Sequence, residues 1–560
     1  MTATLLSPNH KASGAFYTGE GVAAFLCRWA IRRADDRVVD PSFGGGVFLD
    51  AAARRIEHLG GDASACVHGV ELDEDAHAAV LARSGAGVNR SRLRLGSFFD
   101  EPSLRAGGFD AVVGNPPFVR YQSFKGRERE AARARAREAG VRLDGLCSSW
   151  AAFTVHGAAC LAPGGRLGFV LPMELFHAAY ALPVLRFLVD GFDRLDVITF
   201  RRRLFPELSQ DCVLLLADGR SWNQQPGAAK VYHADLPDSD ALDGLTCSRR
   251  VGSTPLPAEE LATGKSRLIS FLVSGHAREL YQRLAGEADR DDGGARRTHR
   301  LRSLASAGIG YVSGNNGYFH LSPAEAAARG LPADRLLPVI CKGRALRGLR
   351  FARSDWQNAC EMGDAGFLFH APGGLAGTNF DRPTMDYLQE GERLGVDQAY
   401  KCRVRHPWHA VPVSDPPDAF LTYMSGDTPR LVANTAAAVA PNNLHLVRLK
   451  PAATESGWTA ERLAAAWRSS LTSLSVEIEG HGLGGGMLKL EPGEAARVLV
   501  AGPALRGVDL DSIDAAARAS ACDATAVVDR ELLTPPEAAT LAEAAASLRE
   551  RRTRAGTPPR

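Results

Sequence analysis

Several common sources of function are missing from this chain of 560 residues. Its ten cysteines are scattered, with no Cys-x-x-Cys pair, and no His-Glu-x-x-His occurs. Reduced thiols are therefore expected, and no metal site. No uninterrupted apolar run is long enough to span a bilayer, and Met1 to His10 does not read as a signal peptide. A cytoplasmic protein with no membrane role is the expectation. Charge of one sign is also lacking: 66 Lys and Arg stand against 64 Asp and Glu, a net +2. Any nucleic-acid surface must then be local rather than global. There is no convincing internal repeat and no obvious nuclease motif. The length is too great for one domain of the kind described below, so two are expected.

What the chain does contain is most informative at residues 110 to 118, Asp-Ala-Val-Val-Gly-Asn-Pro-Pro-Phe. An apolar strand ends on Gly114 and delivers a carboxamide, two prolines and an aromatic ring to one sheet edge. An exocyclic amine on a flat base is a poor nucleophile, because its lone pair is delocalised into the ring. The Asn115 side-chain oxygen and the Pro116 carbonyl can accept its two hydrogens, and Phe118 can stack on the base. Pro116 and Pro117 stiffen the loop, since φ is fixed and the preceding residue is restricted. Asn-Pro-Pro alone equally suits a turn after a buried strand, so the neighbouring motifs must decide.

Upstream, Arg37 to Leu49 reads RVVDPSFGGGVFL. A short strand ends on Asp40-Pro41, passes through Gly44-Gly45-Gly46 and enters a helix. Glycines at such a turn let the backbone approach a cofactor that a Cβ would hold off. A second strand, Val67 to Leu72, carries Glu71, whose carboxylate can accept bonds from two ribose hydroxyls. An acid beside the glycines suits a cationic ligand better than a pyrophosphate. S-adenosylmethionine, with its sulfonium and amino group, is favoured over NAD on that ground.

These motifs, in this order, resemble the gamma class of N6-adenine DNA methyltransferases, the TaqI-methyltransferase-like enzymes of type II restriction-modification. Gly14-Ala15-Phe16-Tyr17-Thr18 resembles the GxFYTP segment that closes over the methionine part of the cofactor, with Gly19 at the usual proline. Asp40-Pro41-Ser42-Phe43-Gly44-Gly45-Gly46 resembles the DPSCGSG loop, with Phe43 for cysteine, and Asn115 to Phe118 the catalytic (N/D)PP(Y/F). The resemblance is specific over about residues 11 to 217. It implies cofactor contacts from Phe16, Tyr17, Thr18, Asp40, Pro41, Gly44, Gly46, Glu71 and Asn115. One departure stands out: Ser97 occupies the position of the acid that accepts from the cofactor's adenine amino group. A neutral acceptor there is weaker than an ionised one, and Phe98 or Phe99 is expected to supply an apolar wall instead. Phe205, in Leu204-Phe205-Pro206, resembles the second aromatic against the extruded base.

The strand rhythm continues through Arg166 to Leu171, Leu195 to Phe200 and Cys212 to Leu216, with a helix from Ser148 to Leu161. The fold expected is α/β, a Rossmann-like S-adenosylmethionine-dependent methyltransferase sheet of seven strands with the last antiparallel, followed by a C-terminal α+β DNA target-recognition domain. Residues 1–235 are read as the catalytic domain, 236–265 as a linker rich in acids, Pro, Ser and Gly, 266–550 as the specificity domain, and 551–560 as a disordered tail. Lys125 to Arg142 holds seven Lys or Arg against three Glu directly after the catalytic loop, either a solvated helix face or a phosphate contact.

In the C-terminal half, Lys342 and Arg344 (with Arg347 and Arg350) and the Lys401-to-Trp408 segment with Arg403 and Arg405 are candidate DNA contacts, alongside polar glycine-rich loops such as Val312 to His320. The expectation is a site-specific methyltransferase acting on N6 of a flipped adenine in double-stranded DNA. An endonuclease, where one accompanies it, would be a separate protein. The pocket motif alone also serves cytosine N4. RNA or protein-glutamine methylation and a catalytically weak nucleic-acid-binding relative remain alternatives, although the first two would not need some 300 further residues with separated basic loops.

Overall fold

The computed structural model describes residues 18–83, 88–101, 104, 108–145, 147–205, 211–221, 229–245, 254–290, 296–372, 380–502 and 508–554. The chain divides into two compact units, with the boundary between Leu272 and Val273.

The first unit is built on one sheet: β1 (Val38–Asp40), β2 (Val67–Glu71), β3 (Leu93–Leu95), β4 (Phe109–Gly114), β5 (Leu161–Pro172), β6 (Phe192–Phe200), β7 (Cys212–Arg220), β8 (Lys230–Leu236) and β9 (Thr254–Leu256). Their order is β3-β2-β1-β4-β5-β7-β6-β8-β9. β3, β2, β1, β4 and β5 run parallel, and β7 is antiparallel to both β5 and β6, as expected of the closing hairpin. Residues Gly165 to Pro172 of β5 are all buried, the pattern of a central strand covered on both faces. Helix α1 (Glu20–Ala30) sets Leu26 against Gly168, whereas α5 (Ser149–Ala159) sets Gly157 against the Leu167 and Phe169 side chains. Neighbouring residues of a strand point to opposite faces, so helices cover both sides. Between them in the chain lie α2 (Val47–His58), α3 (Glu74–Arg83) and α4 (Gly126–Glu138).

Among the described residues the sheet has nine strands, against the seven expected. β8 pairs parallel with β6 along seven residues, and β9 adds an antiparallel edge that includes Pro255. An edge strand tolerates a proline because only one side of its ladder is used. The stretch expected to be a linker, 236–265, carries this strand and a helix, Ala258–Thr263, with Leu242, Leu256 and Leu261 buried. It therefore belongs to the first unit, and apolar anchors outweigh its linker-like composition.

The second unit is α+β. A five-stranded sheet takes Ala305–Ile309, Leu444–Leu449, Ala419–Thr422, Leu431–Asn434 and Arg350–Phe351 in that order, and a three-stranded antiparallel sheet is formed by His320–Leu321, Ala365–Phe369 and Leu336–Ile340. Its last helix runs from Pro535 to Arg554, so the first part of the expected disordered tail is helical, and residues 555–560 lie outside the described residues. Among the described residues no helix is long and apolar enough to cross a membrane.

Candidate active site

β1 and β4 are neighbours, with Val39 opposite Val112, so their carboxyl ends bring Asp40 and Asn115 to one edge. Gly114 permits this approach: a Cβ there would lie 2.9 Å from Asp40 Oδ1. Asp40 is 2 % exposed. Its Oδ1 accepts from Ser42 N at 3.1 Å, while its Oδ2 has no hydrogen-bond partner. Burial, reinforced by the nearby Glu71 charge, pushes the Asp40 carboxyl up to about 8. The Ser42 hydroxyl and Asn115 Oδ1 are likewise buried without partners. Three polar oxygens left unsatisfied at one sheet edge are a costly arrangement unless a ligand supplies partners. A cationic, amino-bearing ligand such as S-adenosylmethionine, which favours the ionised Asp40, fits that demand.

Asn115 is oriented by Thr18, whose hydroxyl accepts from Nδ2 at 3.2 Å. With the nitrogen engaged, Oδ1 is the atom left to accept. Thr18 is buried, while Phe16 and Tyr17 lie outside the described residues. Pro41 and Pro116 are buried and Pro117 half-buried. Gly44 and Gly46 both adopt positive φ, at +47° and +82°, which justifies glycine at the turn into α2. Phe43, the residue that replaces the usual cysteine, packs over β2, where a Cβ on Gly69 would meet its ring at 2.7 Å.

Glu71 does more than sequence reasoning assigned to it. Its Oε2 accepts from Gly44 N at 2.7 Å and its Oε1 from Asp73 N at 2.8 Å, tying the glycine loop to the end of β2. Each carboxylate oxygen retains a further lone pair for a hydroxyl. Ser97 follows β3, beside Glu71, whose carbonyl accepts from Gly96 N at 2.8 Å. The Ser97 hydroxyl accepts from Phe99 N at 3.2 Å and is hydrogen-bonded to Glu128 of α4, a carboxyl raised by burial. In this arrangement the hydroxyl already serves protein groups.

Phe98 is a correction. Its ring is 2 % exposed and lies in a cluster with Phe99, Phe153 and His156 of α5. It is core packing, and the adenine wall expected of it is not offered. Phe118 is buried, and Phe205 is buried beyond the end of β6, on the same sheet edge as Asn115. In the basic run after the loop, Arg127 pairs with Asp100 at 3.2 Å and Arg129 Nη2 donates to Gly145 O.

The second unit alters the expected DNA contacts. Arg344 forms a bidentate pair with Asp364, both bonds 2.7 Å, and Lys342 Nζ is 3.3 Å from the same carboxylate. These two cations are exposed but share one counter-ion. Arg405 is a correction: its guanidinium donates to the carbonyls of Ser313, at 2.7 Å, and Val312, and burial lowers its pKa. It braces a loop instead of standing free for a phosphate. Arg403 is exposed at the end of the helical turn Tyr400–Arg403. Sequence reasoning missed a cleft of about 420 Å³ lined by Lys401 and Arg405 with the exposed apolar Ile309, Val312 and Val404. Apolar residues as far apart in the chain as Ile309 and Val404 announce no such surface until they are brought together.

Residues 4–235 match the family model described as N-6 DNA Methylase, and residues 267–533 match that of the C-terminal domain of the type II methyltransferase M.Eco57I. The type II methyltransferase M.AccI of Acinetobacter calcoaceticus is 18 % identical over 435 residues, covering 76 % of this chain and 74 % of that protein. The type II methyltransferase M.PaeR7I of Pseudomonas aeruginosa is 26 % identical over 314 residues, covering 49 % and 52 %. Among solved structures, the type IIG restriction endonuclease BpuSI aligns with a TM-score of 0.41 at 14 % identity, covering 97 % of this chain and 66 % of that one.

Proposed function

The chain belongs to the N6-adenine DNA methyltransferases of type II restriction-modification, and from that premise we propose that its site works as a gamma-class centre on an adenine turned out of duplex DNA. S-adenosylmethionine, when bound, supplies an electrophilic methyl group on a sulfonium. Asp40 and the Ser42 hydroxyl hold the donor's cationic end, and Glu71 accepts from its ribose. Asn115 Oδ1 and the Pro116 carbonyl accept the two hydrogens of the adenine amine, which localises the lone pair and stabilises the positive charge that grows as nitrogen attacks. No strong base is needed, because the amine becomes acidic only after methylation and then releases its proton to solvent. Phe118 stacks on the base, with Phe205 as the second aromatic. Extrusion is required because this nitrogen is otherwise paired inside the helix.

The observation that carries this reading is the buried, unpartnered Asn115 Oδ1 beside Asp40, with its amide nitrogen held by Thr18. The second unit reads the target, with Lys401 at the cleft and the exposed Arg403 meeting phosphates. The enzyme would act in the cytoplasm, and any cognate endonuclease would be a separate chain. Sequencing DNA from a methylation-free host that expresses the protein tests this: N6-methyladenine at one recurring short motif is expected, and its absence, or methylation on cytosine, would refute it.

A further inference from the structure

Three hydrogen bonds join one residue, Ser149, to the segment that follows Asn115. The Ser149 hydroxyl accepts from Val119 N at 2.9 Å and donates to the Pro117 carbonyl, and Ser149 N donates to Val119 O at 3.0 Å. Ser149 is 1 % exposed, so water does not compete for these bonds. The loop has little means of bracing itself, because Pro116 and Pro117 have no N–H. Its geometry therefore depends on an outside partner.

That partner is itself fixed. Ser149 opens α5, which is buried from Ser149 through Ala158. At the same helix start the Ser148 hydroxyl and Trp150 Nε1 donate to Glu174 Oε2 at 3.2 and 3.1 Å, and the Tyr180 hydroxyl donates to that oxygen too. Glu174 stands two residues after Pro172, the end of β5, which pairs directly with β4. A connected path thus runs from the central strand through Glu174 to the start of α5, and from Ser149 to the Pro117–Val119 backbone.

We propose that Ser149 is a positioning residue for methyl transfer. Its hydroxyl sets the spacing between the Pro116 carbonyl and Asn115 Oδ1 and keeps Phe118 where the base must stack, without touching the substrate. This rests on the methyl-transfer reading above. Displacement of such a loop by an ångström is worth about 10²-fold in rate, so Ser149→Ala in the full-length protein is expected to slow single-turnover transfer about 10- to 100-fold. The affinities for S-adenosylmethionine and duplex should stay within about twofold, which separates positioning from a general loss of structure. Ser149→Thr, which keeps the hydroxyl, should recover most of the rate. A rate for Ser149→Ala near wild type, or equal loss in the Ala and Thr variants, would overturn the proposal. If Ser149→Ala does not fold, Glu174→Gln, which loosens the helix start without touching the loop, must show the same selective rate loss, and a wild-type rate there overturns it. Asn115→Ala measured alongside separates the two claims: if it transfers methyl normally, the reading of the site itself fails, and if it is inactive while Ser149→Ala is normal, only the present inference fails.

Discussion

Asp40 is expected to trade stability for donor binding, and the two effects have opposite pH dependence. Its carboxyl is buried, receives one backbone hydrogen bond from Ser42 and is pushed up to about 8 from the ordinary 3.8. In the ligand-free protein it therefore carries a proton across the pH range in which the unfolded chain has lost it. Stability must fall as pH rises between those two values, by about 1.4 kcal/mol per pH unit for this one group. Asp40→Asn, neutral throughout, should lack that slope and be the more stable protein at pH 7. Donor binding runs the other way. A cationic ligand requires the ionised carboxylate, so affinity should improve up to about tenfold per pH unit from pH 6 toward 8 and then level off. Binding at pH 7 should also release about one proton from Asp40. Calorimetric titration with S-adenosylmethionine at pH 7, in buffers of different ionisation enthalpy, counts that proton. The wild type should release it, and Asp40→Asn should bind more weakly and release none. An unchanged proton count in Asp40→Asn, or equal stability slopes in the two proteins, would refute the reasoning.

Four further perturbations test other parts of the molecule. Asp36→Ala should destabilise the first unit by about 3–5 kcal/mol, because it strands the buried Arg166 guanidinium now 2.9 Å from Asp36; denaturant unfolding should show this with donor affinity per folded molecule unchanged. Gly69→Ala forces a Cβ to within 2.7 Å of the Phe43 ring and 3.0 Å of Leu49, and should lower stability by about 1–3 kcal/mol, with recovery in the double variant Gly69→Ala, Phe43→Cys. Arg403→Ala should flatten the slope of log affinity against log salt by about 0.9 if its side chain meets a phosphate. Arg405→Ala should instead loosen the Val312–Ser313 loop, so its affinity loss should persist at high salt.

Much of the catalytic edge was legible because its residues are local to strand ends. Asp40 and Asn115 each terminate a short apolar run, and a strand that ends at a turn can be read without knowing its neighbours. The parallel order of β1 and β4 then places them together. What was not legible depends on partners remote in sequence. Phe98 looked free to wall a ligand until α5 closed over it. Arg405 looked like a DNA contact until Val312, 93 residues earlier, accepted its guanidinium. β9 was hidden by its own composition, three residues with a central proline inside an acidic, linker-like stretch. The loop clamp at Ser149 was equally silent, since a serine at a helix start reads first as a cap.

The central claim is that Asn115 acts on charge developing in the transition state, not on binding. Single-turnover methyl transfer by Asn115→Ala, with enzyme and donor in excess over a duplex carrying the mapped site, tests it most directly. Its transfer rate should be lower by about 10²–10³-fold, with donor and duplex affinities close to those of the wild type. A near-normal rate, or a loss explained wholly by weaker binding, would contradict it.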